Sequence, residues 1–158
     1  MKVIVISDVD GCLTDGRYMY TVEGKVAKVF GPHDNDGVKL LRKHGVDVVF
    51  ISADKRGFPI TKKRIDDMKC PIFNVSEAER VDWVKNYIKD NKYDVSVFFG
   101  DGIGDVPVAE YVNYFIAPAN ARKEAKAVAN YVTESVGGNG AFLDLALYVY
   151  NDLKDNLQ

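Results

Sequence analysis

Asp8, Asp10, Ser52, Asp101 and Asp105 are the residues whose types and spacing could carry chemistry together. Asp8-Val9-Asp10-Gly11 holds two carboxylates two residues apart. If the chain stays extended, both face one side before Gly11 lets the backbone turn away. Gly100-Asp101-x-x-x-Asp105 brings two more acids. Four carboxylates in one crevice raise one another's pKa unless a cation neutralises them. Mg²⁺ suits such a place, because it uses few protein carboxylates and keeps water and substrate phosphate as its other ligands. One carboxylate can then act as nucleophile through an aspartyl-phosphate. A second can protonate the leaving alkoxide and afterwards activate water. The Ser52 hydroxyl and a nearby cation can hold the phosphoryl oxygens as charge shifts.

Other readings of the same residues are weaker. An Asp after a strand is often a cap or turn former, but that account must hold for all these residues at once. A calcium loop fails on spacing: counted from Asp8, the twelfth residue is Met19, and the glycine is not sixth. Gly100-x-Gly102 begins like a dinucleotide fingerprint, but Asp105 stands where the third glycine belongs. Gly137-Gly138-Asn139-Gly140 reads as a connector before a helix. His44 reads as a solvated helix end, and His33 as a loop residue that could touch substrate.

The elements that must position these residues follow from hydrophobic period and breakers. Strands are expected at Val3 to Ile6 running to Asp8, Val46 to Ile51 ending at Ser52, Pro71 to Val75, Val95 to Phe99, Tyr114 to Ala117 and Tyr131 to Thr133. Tyr18 to Thr21 and Lys25 to Phe30 form a hairpin around Val22-Glu23-Gly24. Helices are expected at Val38 to His44, Ile60 to Met68, Glu77 to Lys89 with Ser76 as N-cap, Val106 to Tyr111, Ala121 to Ala129 and Gly140 to Leu153. Apolar strands alternating with helices predict an α/β fold, a parallel sheet covered on both faces. Ligands lie beyond the carboxyl ends of such strands, which is where the five polar residues fall.

With 158 residues, 47% of them hydrophobic, the chain reads as one domain with a core. A net charge of −2 argues against nucleic acid and anionic membrane as partners, and Lys62-Lys63-Arg64 reads as a solvated helix face. Cys12 and Cys70 form no metal-binding pair and read as reduced thiols. Only four apolar residues follow Met1-Lys2, too few for a signal-peptide core or a membrane span, so a cytoplasmic protein is expected.

The run from Asp8 through Thr14-Asp15-Gly16, then Ser52, then Gly100-Asp101-x-x-x-Asp105, resembles the haloacid dehalogenase superfamily of phosphatases over nearly the whole chain. It is most similar to the capless subclass that contains 3-deoxy-D-manno-octulosonate 8-phosphate phosphatase. Phe30 followed by Asp34-Asn35-Asp36-Gly37, Asp105-Val106-Pro107-Val108, and the tail from Tyr131 to Ala141 add to the likeness. The resemblance implies a Rossmann-like three-layer fold over residues 1–158, with a protruding hairpin at about 17–31 and no cap domain. It implies a Mg²⁺-dependent phosphatase of a small phosphorylated sugar acid; a nine-carbon sialic-type acid phosphate, a nucleotide, or a decayed oligomerisation module are the alternatives. Asp8 would be the nucleophile. Asp10 would be the general acid and base, and would bind the metal through its backbone carbonyl. Asp101 would be a metal ligand, and Asp105 would support that site as a further metal contact. Ser52 would bind the phosphoryl group, and the hairpin would build a homotetramer whose neighbouring subunit helps close each site. Three departures stand out. Ser52-Ala53-Asp54 replaces the subclass's Thr-Gly-Arg; Glu79-Arg80 stands where the phosphate-pairing lysine belongs; Asn139 and Phe142-Leu143 occupy positions where the subclass has arginine. Arg80 is the expected stand-in for the lysine, with Lys62 or Lys63 as the alternatives.

Overall fold

A computed structural model describes residues 1–153. β1 (Val3–Asp8) opens with four apolar residues, Val3 to Ile6, and is buried throughout, as a strand covered on both faces requires. β2 (Tyr18–Thr21) and β3 (Gly24–Lys28) form a separate antiparallel hairpin. α1 (His33–Lys43), β4 (Val46–Ser52), α2 (Phe58–Asp67), β5 (Ile72–Asn74) and α3 (Arg80–Asp90) follow. Next come β6 (Val95–Phe99), a 3₁₀ segment (Ile103–Tyr111), β7 (Tyr114–Ala117), α4 (Lys123–Val128), β8 (Tyr131–Val132) and α5 (Ala141–Tyr148), which ends in a π turn (Val149–Leu153).

The large sheet has the order β5-β4-β1-β6-β7-β8, with every pair parallel. From β1 the chain winds outward through β4 and β5, then returns to β6 on the other side of β1. The order therefore reverses between β1 and β6, and ligands bind at such a switch point. Alternation of side chains along the strands makes two cores. Val3, Val5, Val48, Phe50, Val97 and Phe99 pack with Val38 and Leu41 of α1, Ile65 of α2, and Phe142 and Leu145 of α5. Ile4, Ile6, Val49, Ile51 and Phe98 pack with Val84 of α3, Val108 and Ala125. Phe142 meets Phe50 and Phe99 at centroid distances of 5.5 and 6.2 Å. Each such side chain contributes about 1.5–3 kcal/mol by leaving water.

Several helix starts differ from expectation: α2 begins at Phe58, not Ile60; the helix expected from Val106 is a 3₁₀ segment from Ile103; α4 begins at Lys123, not Ala121; α1 and α3 differ as well. α1 begins at His33 rather than Val38, so His33 belongs to a first turn and not to a loop. Pro32 and the acids Asp34 and Asp36 favour a helix N-terminus, while Asn35 and Gly37 weaken the periodic signal there. Gly37 is needed for packing: a Cβ there would lie 2.8 Å from Phe142 Cδ1, so it allows α1 and α5 to approach closely. α3 begins at Arg80, three residues late, because 77–79 form a turn in which Ser76 Oγ accepts from Glu79 N–H at 3.3 Å.

Candidate active site

β1 ends at Asp8, whose Oδ1 accepts a hydrogen bond from the Val9 amide at 2.8 Å. The backbone then coils instead of staying extended: the Cys12 and Leu13 amides both donate to the Val9 carbonyl, at 3.0 and 2.8 Å. The backbone after Asp8 is therefore a coil and not the extended run expected to carry Asp8 and Asp10. The turn sends their side chains to different partners. The carboxylate oxygens of Asp8, Asp101 and Asp105 lie within 4.8 Å of one another. The Asp10 carboxylate instead meets Lys28 Nζ at 2.9 Å. Gly11 permits the coil, with φ of +85°, and a Cβ on it would overlap the Asp101 carboxylate.

Asp101 and Asp105 follow β6, on the opposite side of the switch point from β4. Asp105 is fully engaged. Its Oδ2 accepts from the amides of Asp101 and Gly102 at 3.0 and 3.1 Å, shaping the loop. Its Oδ1 pairs with an Arg80 guanidinium nitrogen at 2.5 Å, and both side chains are almost fully buried. Asp8 and Asp101 thus offer the freer oxygens of the cluster. Ser52 closes β4 with a buried hydroxyl that accepts from the Asp54 amide at 3.2 Å.

Electrostatics mark this cluster apart. Burial, then Asp105 and Asp101, push the Asp8 carboxyl well above its usual range, against the pull of Arg80. Burial and Asp105 raise Asp101 to about 7. Burial also raises Asp105, although Arg80 and two backbone amides oppose it. Three half-buried or buried acids with raised pKa values form an oxygen donor set short of positive charge. A hard divalent cation fits it, held by Asp8 and Asp101 with Asp105 behind them.

The expected cations sort cleanly. Arg80 is buried beside the cluster, where the Asp8 and Asp105 charges raise its pKa against burial's opposing pull. Lys62 and Lys63 lie on the outer face of α2, paired with Asp66 and Asp67 four residues on. Sequence reasoning missed Lys28, Thr61 and Asn120. Lysines in a short hairpin read as a solvated face, and nothing in Lys25-Val26-Ala27-Lys28 marked one of them as buried. Asn120 ties two loops together: its Nδ2 donates to the Gly11 carbonyl at 2.9 Å, and its Oδ1 accepts from the Gly137 amide at 2.7 Å. An Asn inside Pro118-Ala119-Asn120 carries no local signal for such a long-range role.

The haloacid dehalogenase-like hydrolase family profile matches residues 74–142. A 3-deoxy-D-manno-octulosonate 8-phosphate phosphatase of Haemophilus influenzae is 30% identical over 144 residues, covering 90% of this chain and 79% of that protein. The cobalt-bound structure of the deoxy-D-mannose-octulosonate 8-phosphate phosphatase from Haemophilus influenzae superposes with a TM-score of 0.82 at 26% identity, covering 98% of this chain and 96% of the other. The Moraxella catarrhalis enzyme, solved with magnesium ion, phosphate ion and KDO, superposes with a TM-score of 0.84 at 23% identity, covering 98% of this chain and 90% of the other. The chain belongs to the haloacid dehalogenase-like hydrolases. Within them it is a phosphatase. Among the described residues the hairpin is the only insertion beside the sheet opening, and there is no cap domain.

Proposed function

We propose that this phosphatase hydrolyses a phosphorylated sugar acid, 3-deoxy-D-manno-octulosonate 8-phosphate or a close analogue, with Mg²⁺ and with Asp8 as nucleophile. The observation that carries the reading is the buried Asp8-Asp101-Asp105 cluster beside Arg80 at the switch point of the sheet. The Haemophilus influenzae relative supports the substrate class, and the magnesium complex of the Moraxella catarrhalis enzyme supports the metal.

An Asp8 carboxylate oxygen attacks phosphorus as the bond from phosphorus to the ester oxygen breaks. Asp10 gives its proton to the departing alkoxide, so the alcohol leaves neutral. The phosphoryl group then sits on Asp8. Asp10 takes a proton from a water that attacks phosphorus, and phosphate departs with the Asp8 carboxylate restored. Ser52 and Arg80 hold the equatorial oxygens as negative charge spreads over them. Mg²⁺ at the carboxylates of Asp8 and Asp101 and the carbonyl of Asp10, with Asp105 in support, would supply the charge neutralisation that lets a dianionic ester approach an acidic pocket.

Residues 1–158 act in this reading as one hydrolase domain. The hairpin at 17–31 exposes Tyr18, Met19, Tyr20, Val22, Val26 and Val29, an apolar surface suited to subunit contact. A homotetramer built on that surface would bring a neighbour over each site. Two free, buried thiols, Cys12 and Cys70, suit the cytoplasm, and no helix among the described residues is long and apolar enough to cross a membrane.

The test is phosphate release by the purified protein from a panel of eight- and nine-carbon sugar-acid phosphates and nucleotides. Release should be fastest from a sugar-acid ester, should require Mg²⁺ and should stop with EDTA. Turnover that persists in EDTA, or that favours nucleotides, contradicts the reading.

A further inference from the structure

Lys28 is a cation placed where a hairpin lysine does not belong by composition. Its side chain is 0% exposed, although β3 lies outside the main sheet. Burying an ammonium is costly unless each of its three protons finds an acceptor. Each does. Nζ lies 2.9 Å from Asp10 Oδ1, 2.8 Å from Asp54 Oδ2 and 2.9 Å from Thr61 Oγ1. Three separate elements therefore converge on one nitrogen: the loop after β1, the loop after β4, and α2.

The hairpin is built to deliver this contact. Its register shifts after Met19, so that Ala27 faces Met19 but Lys25, not Val26, faces Tyr20. The extra residue is a β-bulge, a device that re-aims side chains beside active sites. In a regular strand, positions 25 and 28 point to opposite faces. Here both lysines reach Asp54 Oδ2, Lys25 at 2.9 Å and Lys28 at 2.8 Å. Asp54 is in turn fixed by the Gly57 amide, which donates to its Oδ1 at 3.0 Å. Asp54 and Thr61 thus anchor an ammonium whose third contact is the carboxylate assigned to proton transfer.

We infer that Lys28 is a positioning residue for the reaction: it holds the Asp10 carboxylate in the geometry from which the leaving oxygen receives its proton. The inference rests on the proposed role of Asp10. A loose Asp10 would turn toward water, since its side chain is partly exposed and Lys28 is its one ion-pair partner among the described residues. Orientation of a catalytic group within a fraction of an ångström is worth a large factor in rate.

Leaving-group dependence separates this role from a merely structural one. A p-nitrophenolate leaves without a proton, whereas a sugar alkoxide needs one. The full-length protein with saturating Mg²⁺ is assayed on p-nitrophenyl phosphate and on an alkyl sugar phosphate, as wild type, Lys28→Met and Asp10→Asn. With Lys28→Met, kcat on the sugar phosphate should fall about 100-fold, and kcat on the aryl ester by at least about tenfold less than that. KM for the sugar phosphate should stay within about threefold. Equal losses on both esters, an effect confined to KM, or no loss at all would overturn the inference. Asp10→Asn shows which idea has failed. If Asp10→Asn discriminates between the esters and Lys28→Met does not, Lys28 alone is wrongly assigned. If neither does, the role of Asp10 falls as well. Should Lys28→Met not fold, Thr61→Val removes one of the three acceptors and keeps the charge. It should give the same ester preference on a smaller scale, and an equal loss on both esters contradicts the inference.

Discussion

Arg80 and Asp105 make an ion pair with side chains only 4% and 1% exposed. Removing one partner of such a pair leaves the other as an uncompensated buried charge, which costs about 3–5 kcal/mol. Arg80→Met should therefore lower the unfolding free energy measured in urea by an amount of that order, with a lower midpoint, as well as impairing turnover. An unchanged midpoint would show that Asp105 finds another partner. Asp34 presents the opposite case. Both of its oxygens are buried without a hydrogen-bond partner, and burial raises its carboxyl to about 7 against the attraction of Arg64 and His33. A carboxyl raised on folding favours the fold while protonated; that contribution is whole below about pH 4 and is lost as pH climbs through about 7. Asp34→Asn should then melt higher than wild type at pH 8, with the difference closing toward pH 4. A constant difference across that range, or none, contradicts the account. Burial of this kind explains what the sequence leaves illegible at this scale. Asp8, Ser52, Asp101 and Asp105 stand out in the sequence because each lies at, or shortly after, the carboxyl end of an apolar strand. Lys28 and Asp34 do not, because only tertiary packing distinguishes them from the exposed lysines and helix-start acids that look the same.

At the scale of elements, the apolar strands were readable to within a residue or two because strands covered on both faces must be continuously hydrophobic. Helix starts were less so. Gly37 weakens the helical pattern of α1 yet is what lets that helix meet Phe142. The bulge in β2–β3 left no mark in the residue pattern, yet it turns Lys25 and Lys28 to one side. The hairpin also presents Tyr18 and Tyr20, rings 6.1 Å apart, with Met19 and Val22 exposed as well. In the proposed homotetramer this surface is the subunit contact. Tyr20→Asp should reduce the mass measured by light scattering from four chains to fewer, and should leave the far-UV spectrum of the sheet and helices unchanged. A wild-type mass of one chain would remove the hairpin as the assembly surface.

Across the whole molecule, position does more than any single motif. Asp-x-Asp-Gly by itself reads equally as a cap or a turn. The strand order β5-β4-β1-β6-β7-β8 sets the β1 and β6 loops side by side, so that two acid motifs ninety residues apart share one cluster. The hairpin adds a buried lysine, Lys28, against Asp10 from outside the sheet. The central claim is that Asp8 becomes phosphorylated and discharged in each cycle. It is tested most directly by Asp8→Asn, which keeps the side chain's shape and removes its nucleophilic charge. With Mg²⁺ and the best sugar-acid ester, the variant should release phosphate at least about 10⁴-fold more slowly than wild type, while keeping the native melting transition. Release within about tenfold of wild type would contradict the assignment of Asp8 as nucleophile.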